Sequence, residues 1–181
     1  MRNSNYRYME RRKMMVRRFS IWTVEIIGVI LLAWIIVHFC LQTVTVHGES
    51  MMPAYGDGDL VLVNKLDYRL HDPKRLDPVV LELLNGSVTH YTLKRIIACP
   101  GETIQIMDGS VYINGEKTDC GFEDEILSAG LASYEIELGE DEYFIMGDNC
   151  NNSEDSRVAN IGNIKRDQLV GKVIGVLKKG N

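Results

Sequence analysis

The sequence predicts a mainly β body, a folded-over sheet or small barrel, behind a single N-terminal transmembrane helix. Three observations carry that expectation: one apolar run of twenty residues near the start, short alternating runs separated by turn dipeptides after it, and a change of charge between the two. The 181 residues suffice for one ordinary domain with an appendage and are too few for two full domains. With 45% hydrophobic and 25% charged residues and four prolines, the composition excludes disorder, a collagen-like fibre and a disulfide-dense miniprotein. A net charge of −5 argues against a nucleic-acid partner. That charge is unevenly spread. Residues 1–18 hold seven basic side chains (Arg2, Arg7, Arg11, Arg12, Lys13, Arg17, Arg18) against Glu10, which leaves 13 basic and 24 acidic groups for the rest.

The first element is the helix. From Ile21 to Cys40 the chain reads IWTVEIIGVILLAWIIVHFC, with Glu25 as its one formal charge. At ~1.5 Å per residue, twenty residues cross a hydrocarbon core of ~30 Å. Trp22 and His38 lie near the ends, where amphipathic side chains are tolerated. The basic cluster before the run places the N-terminus in the cytoplasm by the positive-inside rule. A removable signal peptide would need a small-x-small cleavage site, and HFCLQTVTV offers none. A buried core helix would need a polar face at helical period, which is missing. The expected organisation is a basic cytoplasmic segment at 1–20, a single-pass span at 21–41 and an extracytoplasmic body at 42–181.

The body follows as strands. Thr43–Val46, Leu60–Asn64, Val79–Leu83, Tyr91–Ala98, Tyr134–Leu138, Tyr143–Met146 and Gln168–Leu177 are β-rich. Thr103–Met107, Asp108-Gly109 and Ser110–Ile113 make the clearest hairpin, since Asp-Gly suits a type I′ turn, and Asn114-Gly115 announces another. Residues 119–133, acidic and without alternation, are expected as a surface excursion. Cys99, Cys120 and Cys150 permit one disulfide, with the pairing open, and none has the paired spacing zinc requires.

Three clusters carry chemistry. In Gly48-Glu49-Ser50-Met51-Met52-Pro53, a serine sits at a turn that proline fixes just beyond it. It is either an ordinary turn serine or a nucleophile that needs a base. In Tyr91-Thr92-Leu93-Lys94-Arg95-Ile96, a lysine lies in an apolar strand. Either it guards a sheet edge, or burial lowers its pKa from ~10.4 and makes it a base. Gly147-Asp148-Asn149-Cys150-Asn151-Asn152-Ser153-Glu154-Asp155-Ser156-Arg157 is a polar loop in which Asp155 and Arg157 can pair. It lacks the ligand ladder of a calcium loop.

In order and behind an apolar span, these motifs resemble those of the bacterial type I signal peptidases, the leader peptidases of peptidase family S26, over roughly residues 20–180. The resemblance implies a membrane-bound serine endopeptidase, without cofactor or metal, that cleaves signal peptides from secretory preproteins after a small-x-small motif. It implies a catalytic dyad of Ser50 as nucleophile and Lys94 as general base. It further implies Ser153 as the hydroxyl that orients the lysine, Asp155 and Arg157 as a supporting ion pair, and the Ser50 backbone N–H as the oxyanion donor. Met51, Met52, Thr92 and Leu93 are candidate substrate-lining residues, with core packing as the equal alternative. Three departures from the family pattern stand out: Cys150 replaces a frequent arginine, Gly48 a serine found in some members, and Thr92 a frequent aromatic.

Chain reach agrees with a membrane-proximal site. Eight residues separate Leu41 from Ser50, a stretch of ~30 Å at full extension, so the serine must work near the lipid, where signal segments emerge. Two rivals are the soluble Ser-Lys self-cleaving repressors, opposed by the span and the acidic body, and a non-catalytic membrane scaffold, opposed by the presence of both Ser50 and Lys94.

Overall fold

The computed structural model describes residues 2–85 and 88–180. It divides between Cys40 and Leu41 into two compact units. The first is one helix, α1 (Arg2–Cys40), of 39 residues. It starts well before the expected boundary at Ile21 because the Arg, Lys and Met residues of the basic segment favour helix and no Gly or Pro interrupts them. The side chains of Arg2, Arg7, Arg11, Arg12, Lys13 and His38 lie outside the described residues. Every side chain from Arg17 to Ile35 is exposed, and by length and composition that stretch can cross a membrane.

The second unit is mainly β. In chain order it contains β1 (Leu41–Thr45), β2 (Leu60–Asn64), α2 (Asp67–Leu70), β3 (Pro78–Asn85), β4 (Val88–Ala98), β5 (Thr103–Met107), β6 (Ser110–Ile113), β7 (Glu116–Thr118), β8 (Ile136–Glu137), β9 (Glu142–Met146), β10 (Ile164–Lys165) and β11 (Leu169–Lys178). Seven strands form one antiparallel sheet in the order β1-β2-β11-β3-β4-β9-β10, and four form another in the order β7-β6-β5-β8. The β5–β6 connection has φ of 47° at Asp108 and 71° at Gly109. Positive φ at both central residues is the type I′ signature, and Asn114 and Gly115 repeat it before β7.

The large sheet is covered on both faces, so β3 reads as a nearly continuous apolar run rather than an alternation. Val79 and Leu81 join Ile96, Tyr143, Ile145 and Ile164 in one buried cluster. Val80 points the other way, to Val46, Met51, Val61, Val63, Leu93 and Val173. A third cluster lies under the small sheet and includes Ile104, Ile106, Val111, Phe144 and Met146.

Residues 119–133 lie mostly at the surface, as expected, but they are anchored to the core. Cys120, Ile126 and Ala132 are buried in that third cluster, and Gly130–Ser133 forms a 3-10 turn. Three inward residues six positions apart are too sparse to reveal a helix or strand period, which is why the segment looks like plain loop in the sequence. The expected strand at Tyr134–Leu138 shrinks to β8, the two residues that pair with Ile104 and Thr103 of β5. Cys40, Cys99, Cys120 and Cys150 are all free thiols.

Candidate active site

Three segments far apart in sequence meet around Ser50. The serine follows β1 in a tight turn, with Met52 N–H donating to Glu49 O at 3.1 Å and Tyr55 N–H to Met51 O at 2.8 Å. Gly48 enters the turn at φ 82°, a conformation L side chains rarely adopt. The next residue, Met51, is buried against Val46 and Leu93 and pins the turn to the core.

Lys94 comes from β4, an interior strand between β3 and β9, with Val79 directly opposite it. That position overturns the edge-strand alternative. The lysine is 4% exposed, and its Nζ donates to Ser50 Oγ at 2.7 Å. Burial pulls its pKa below the ordinary lysine range. The negative charges of Asp155 and Glu154 oppose that pull, and the Arg157 charge assists it. A lysine desolvated against a hydroxyl is therefore biased toward the neutral amine, the form able to take a proton.

The loop after β9 supplies the frame. Asp155, fully buried, grips Arg157 with two parallel hydrogen bonds, Nε to Oδ1 at 2.8 Å and Nη2 to Oδ2 at 2.9 Å. The same carboxylate accepts the Gly147 N–H at 3.2 Å, and Arg157 Nη1 reaches back to Ser128 O at 3.0 Å. Both charges are thus paired and hydrogen-bonded, the condition for burying them. Asn149 N–H then donates to Ser50 O at 3.0 Å, and its side-chain amide to Glu49 O at 3.3 Å. Gly147 lies so close beneath that a Cβ there would stand 2.3 Å from Ser50 O and 2.4 Å from Ser153 Oγ. On the strand side, Arg95 forms a bidentate pair with Asp148, Nε to Oδ1 at 2.7 Å and Nη2 to Oδ2 at 2.5 Å. That pair ties the residue after the lysine to the loop that holds the serine.

The structure therefore brings Ser50, Lys94, Asp155 and Arg157 into one neighbourhood, with Ser153 against Gly147. The Ser153 Oγ is buried and makes no hydrogen bond among the described residues, and the Lys94 Nζ is turned to Ser50. The Ser50 N–H is likewise unused by any hydrogen bond among the described residues. Of the candidate lining residues, Met51 (1% exposed) and Leu93 (5%) belong to the core, whereas Met52 is exposed and Thr92 half-buried. A cleft of about 390 Å³ lies between Pro53-Ala54, the Arg95–Asp148 pair and Cys120, Gly121 and Glu123. Among the described residues no three His, Cys, Asp or Glu side chains are grouped to hold a metal ion.

Gly147, Asp148, Asn149 and Arg95 add to the site residues expected from the motifs. The polar loop containing the first three was visible, but nothing in its spacing announces that Asn149 holds the backbone a hundred positions earlier.

Comparison with known proteins gives a consistent set of likenesses. The family described as signal peptidase, peptidase S26, matches residues 19–177. The chain is 38% identical over 160 residues to signal peptidase I T of Bacillus subtilis (strain 168), covering 83% of this chain and 80% of that one. It is 35% identical over 158 residues to a signal peptidase I of Bacillus amyloliquefaciens, covering 83% of each. A crystal structure of a signal peptidase I from Enterococcus faecalis V583 aligns at 25% identity and a TM-score of 0.44, over 60% of this chain and 98% of that one.

Proposed function

Because the chain belongs to the signal peptidase family, peptidase S26, we propose that it is a membrane-bound serine endopeptidase that releases signal peptides from exported preproteins with a Ser50–Lys94 dyad. The observation that carries this reading is the 2.7 Å contact between a buried lysine amine and a turn serine.

The chemistry runs by acyl transfer. Neutral Lys94 accepts the Ser50 proton through its lone pair as Oγ attacks the scissile carbonyl. The unused Ser50 N–H stabilises the developing oxyanion, a contribution of ~3 kcal/mol per donor in comparable sites. The Lys94 ammonium then protonates the leaving amine, which departs with the mature protein. Lys94, neutral again, activates the water that hydrolyses the acyl-enzyme. Asp155, through Arg157 and the Gly147 N–H, fixes the loop on which Asn149 positions Ser50. Met52 and Thr92, the accessible members of the lining set, are the side chains left to meet a small-x-small sequence.

The organisation proposed with this function is a basic cytoplasmic segment (1–20), a single membrane span (21–41) and an extracytoplasmic catalytic body (42–181). Its support is the apolar stretch within α1 and the basic residues that precede it. The test is cleavage of a preprotein by the full chain in detergent, compared with Ser50→Ala and Lys94→Ala. Both variants are expected to lose at least a thousandfold in rate. Activity that survives Lys94→Ala would assign the base to another group and remove the dyad.

A further inference from the structure

Asp59 is a carboxylate the mechanism does not use, and its surroundings are unusual. It is 2% exposed, and three donors from two segments converge on it. Oδ2 accepts the Gly56 N–H at 3.0 Å and the Lys179 ammonium at 2.9 Å, and Oδ1 accepts the Gly180 N–H at 2.7 Å. Gly180 lies so close to the chain that a Cβ there would stand 2.1 Å from Asp57 O and 2.9 Å from Gly58 C. Those obstacles are backbone, so no side-chain rotation relieves them.

The segment so gripped is the far limb of the loop that carries Ser50. Val46 N–H donates to Asp59 O at 2.8 Å and Gly58 N–H to Val46 O at 2.9 Å, which closes the loop at its base. Inside it, Asp57 Oδ1 accepts the Gly48 N–H at 2.7 Å, two residues from the serine. A displacement at 57–59 therefore travels through one hydrogen bond to Gly48. From there it reaches a hydroxyl whose 2.7 Å contact with Lys94 tolerates little change.

We infer that Lys179 and Gly180, docked on Asp59, are positioning residues for the nucleophile turn and hold Ser50 in register with Lys94. The inference rests on the dyad reading above and extends it to a segment beyond every sequence motif.

The test uses the full chain in detergent with Gly180→Val, Lys179→Gln and Lys179→Arg, alongside Ser50→Ala and Lys94→Ala. Expected are a loss in kcat of at least tenfold for Gly180→Val and about threefold for Lys179→Gln, with KM within twofold, and wild-type kcat for Lys179→Arg. Hydrogen exchange in residues 46–59 should quicken in the two impaired variants, because the Val46, Gly48, Gly56 and Gly58 amides depend on this clamp. A folded Gly180→Val enzyme with unchanged kcat and unchanged exchange overturns the inference. So does a Lys179→Arg enzyme as impaired as Lys179→Gln; the Lys179 pair decides alone if Gly180→Val does not fold. Retained activity in Ser50→Ala or Lys94→Ala is a different failure, that of the dyad, and leaves the exchange measurement to judge the clamp.

Discussion

Gly147→Ala isolates the tightest contact of the site. Gly147 is not in the left-handed region, so the substitution adds volume without backbone strain. The added methyl would meet Ser50 O at 2.3 Å, Ser153 Oγ at 2.4 Å and Ser153 Cβ at 2.7 Å. Restoring ordinary contact requires a retreat of about 1 Å, comparable to the overpacking cases that cost ~1–3 kcal/mol. The Gly147 side cannot supply all of it, because its N–H is held by buried Asp155 and the preceding Met146 is paired with Arg95. The Ser50 turn must move, and a shift of that size takes the 2.7 Å Lys94–Ser50 contact toward or past the ~3.5 Å at which a hydrogen bond is lost. Misplacement of ~1 Å at a reacting group costs on the order of a hundredfold in rate, or about 2.7 kcal/mol of barrier. The assay is kcat for a fluorogenic preprotein peptide, with thermal unfolding run in parallel. Gly147→Ala should lose about a hundredfold in kcat. Adding Ser153→Ala should not restore it, because the clash with Ser50 O remains. A folded Gly147→Ala enzyme within threefold of wild type would refute the reasoning.

The remaining expectations concern charge. Burial lowers the Lys94 pKa, so cleavage should fall on acidification along a limb whose midpoint lies below the ~10.4 of free lysine; a flat pH–rate profile between pH 6 and 10 would argue against a desolvated base. The same shift has a stability sign. The folded state holds the Lys94 proton less tightly than the unfolded chain, so the fold loses stability as pH falls from the ordinary lysine range to the lowered folded-state value. Lys94→Met should therefore abolish cleavage yet raise Tm at pH 7, by ~2–4 °C for each kcal/mol of penalty removed; an unchanged or lower Tm would count against a costly buried amine. Asp155→Ala strands the buried Arg157 guanidinium and frees the Gly147 N–H. The expected cost is ~3–5 kcal/mol, read by denaturant unfolding, with activity lost as well; a cost under 1 kcal/mol would show that the pair does not anchor the loop.

The parts of this molecule governed by local patterns were legible before any coordinates. The Asp108-Gly109 and Asn114-Gly115 turns fall where the dipeptides put them, and β2, β5 and β6 have the expected bounds, because turn chemistry and alternation act over a few residues. β7, β10 and α2 were not legible, being only two to four residues long. The proximity of Ser50 and Lys94 lay beyond periodicity as well; the resemblance to a family supplied that expectation. A motif transmits residue identity but not side-chain geometry, and the Ser153 hydroxyl is buried here without a hydrogen bond among the described residues. Gly147, Asn149 and Asp59 act through backbone groups of distant segments, which leave no mark in composition or spacing.

The long sequence separation of those contacts bears on biosynthesis. The Ser50 turn leaves the ribosome early, but the groups that brace it, Asn149, Lys179 and Gly180, are made about 100 to 130 positions later. Contacts between segments so far apart in the chain carry a loop-closure cost and form slowly. Ser50 and Lys94 are therefore both made well before the segments that hold the Ser50 turn, and their 2.7 Å contact is complete only once those later segments have docked.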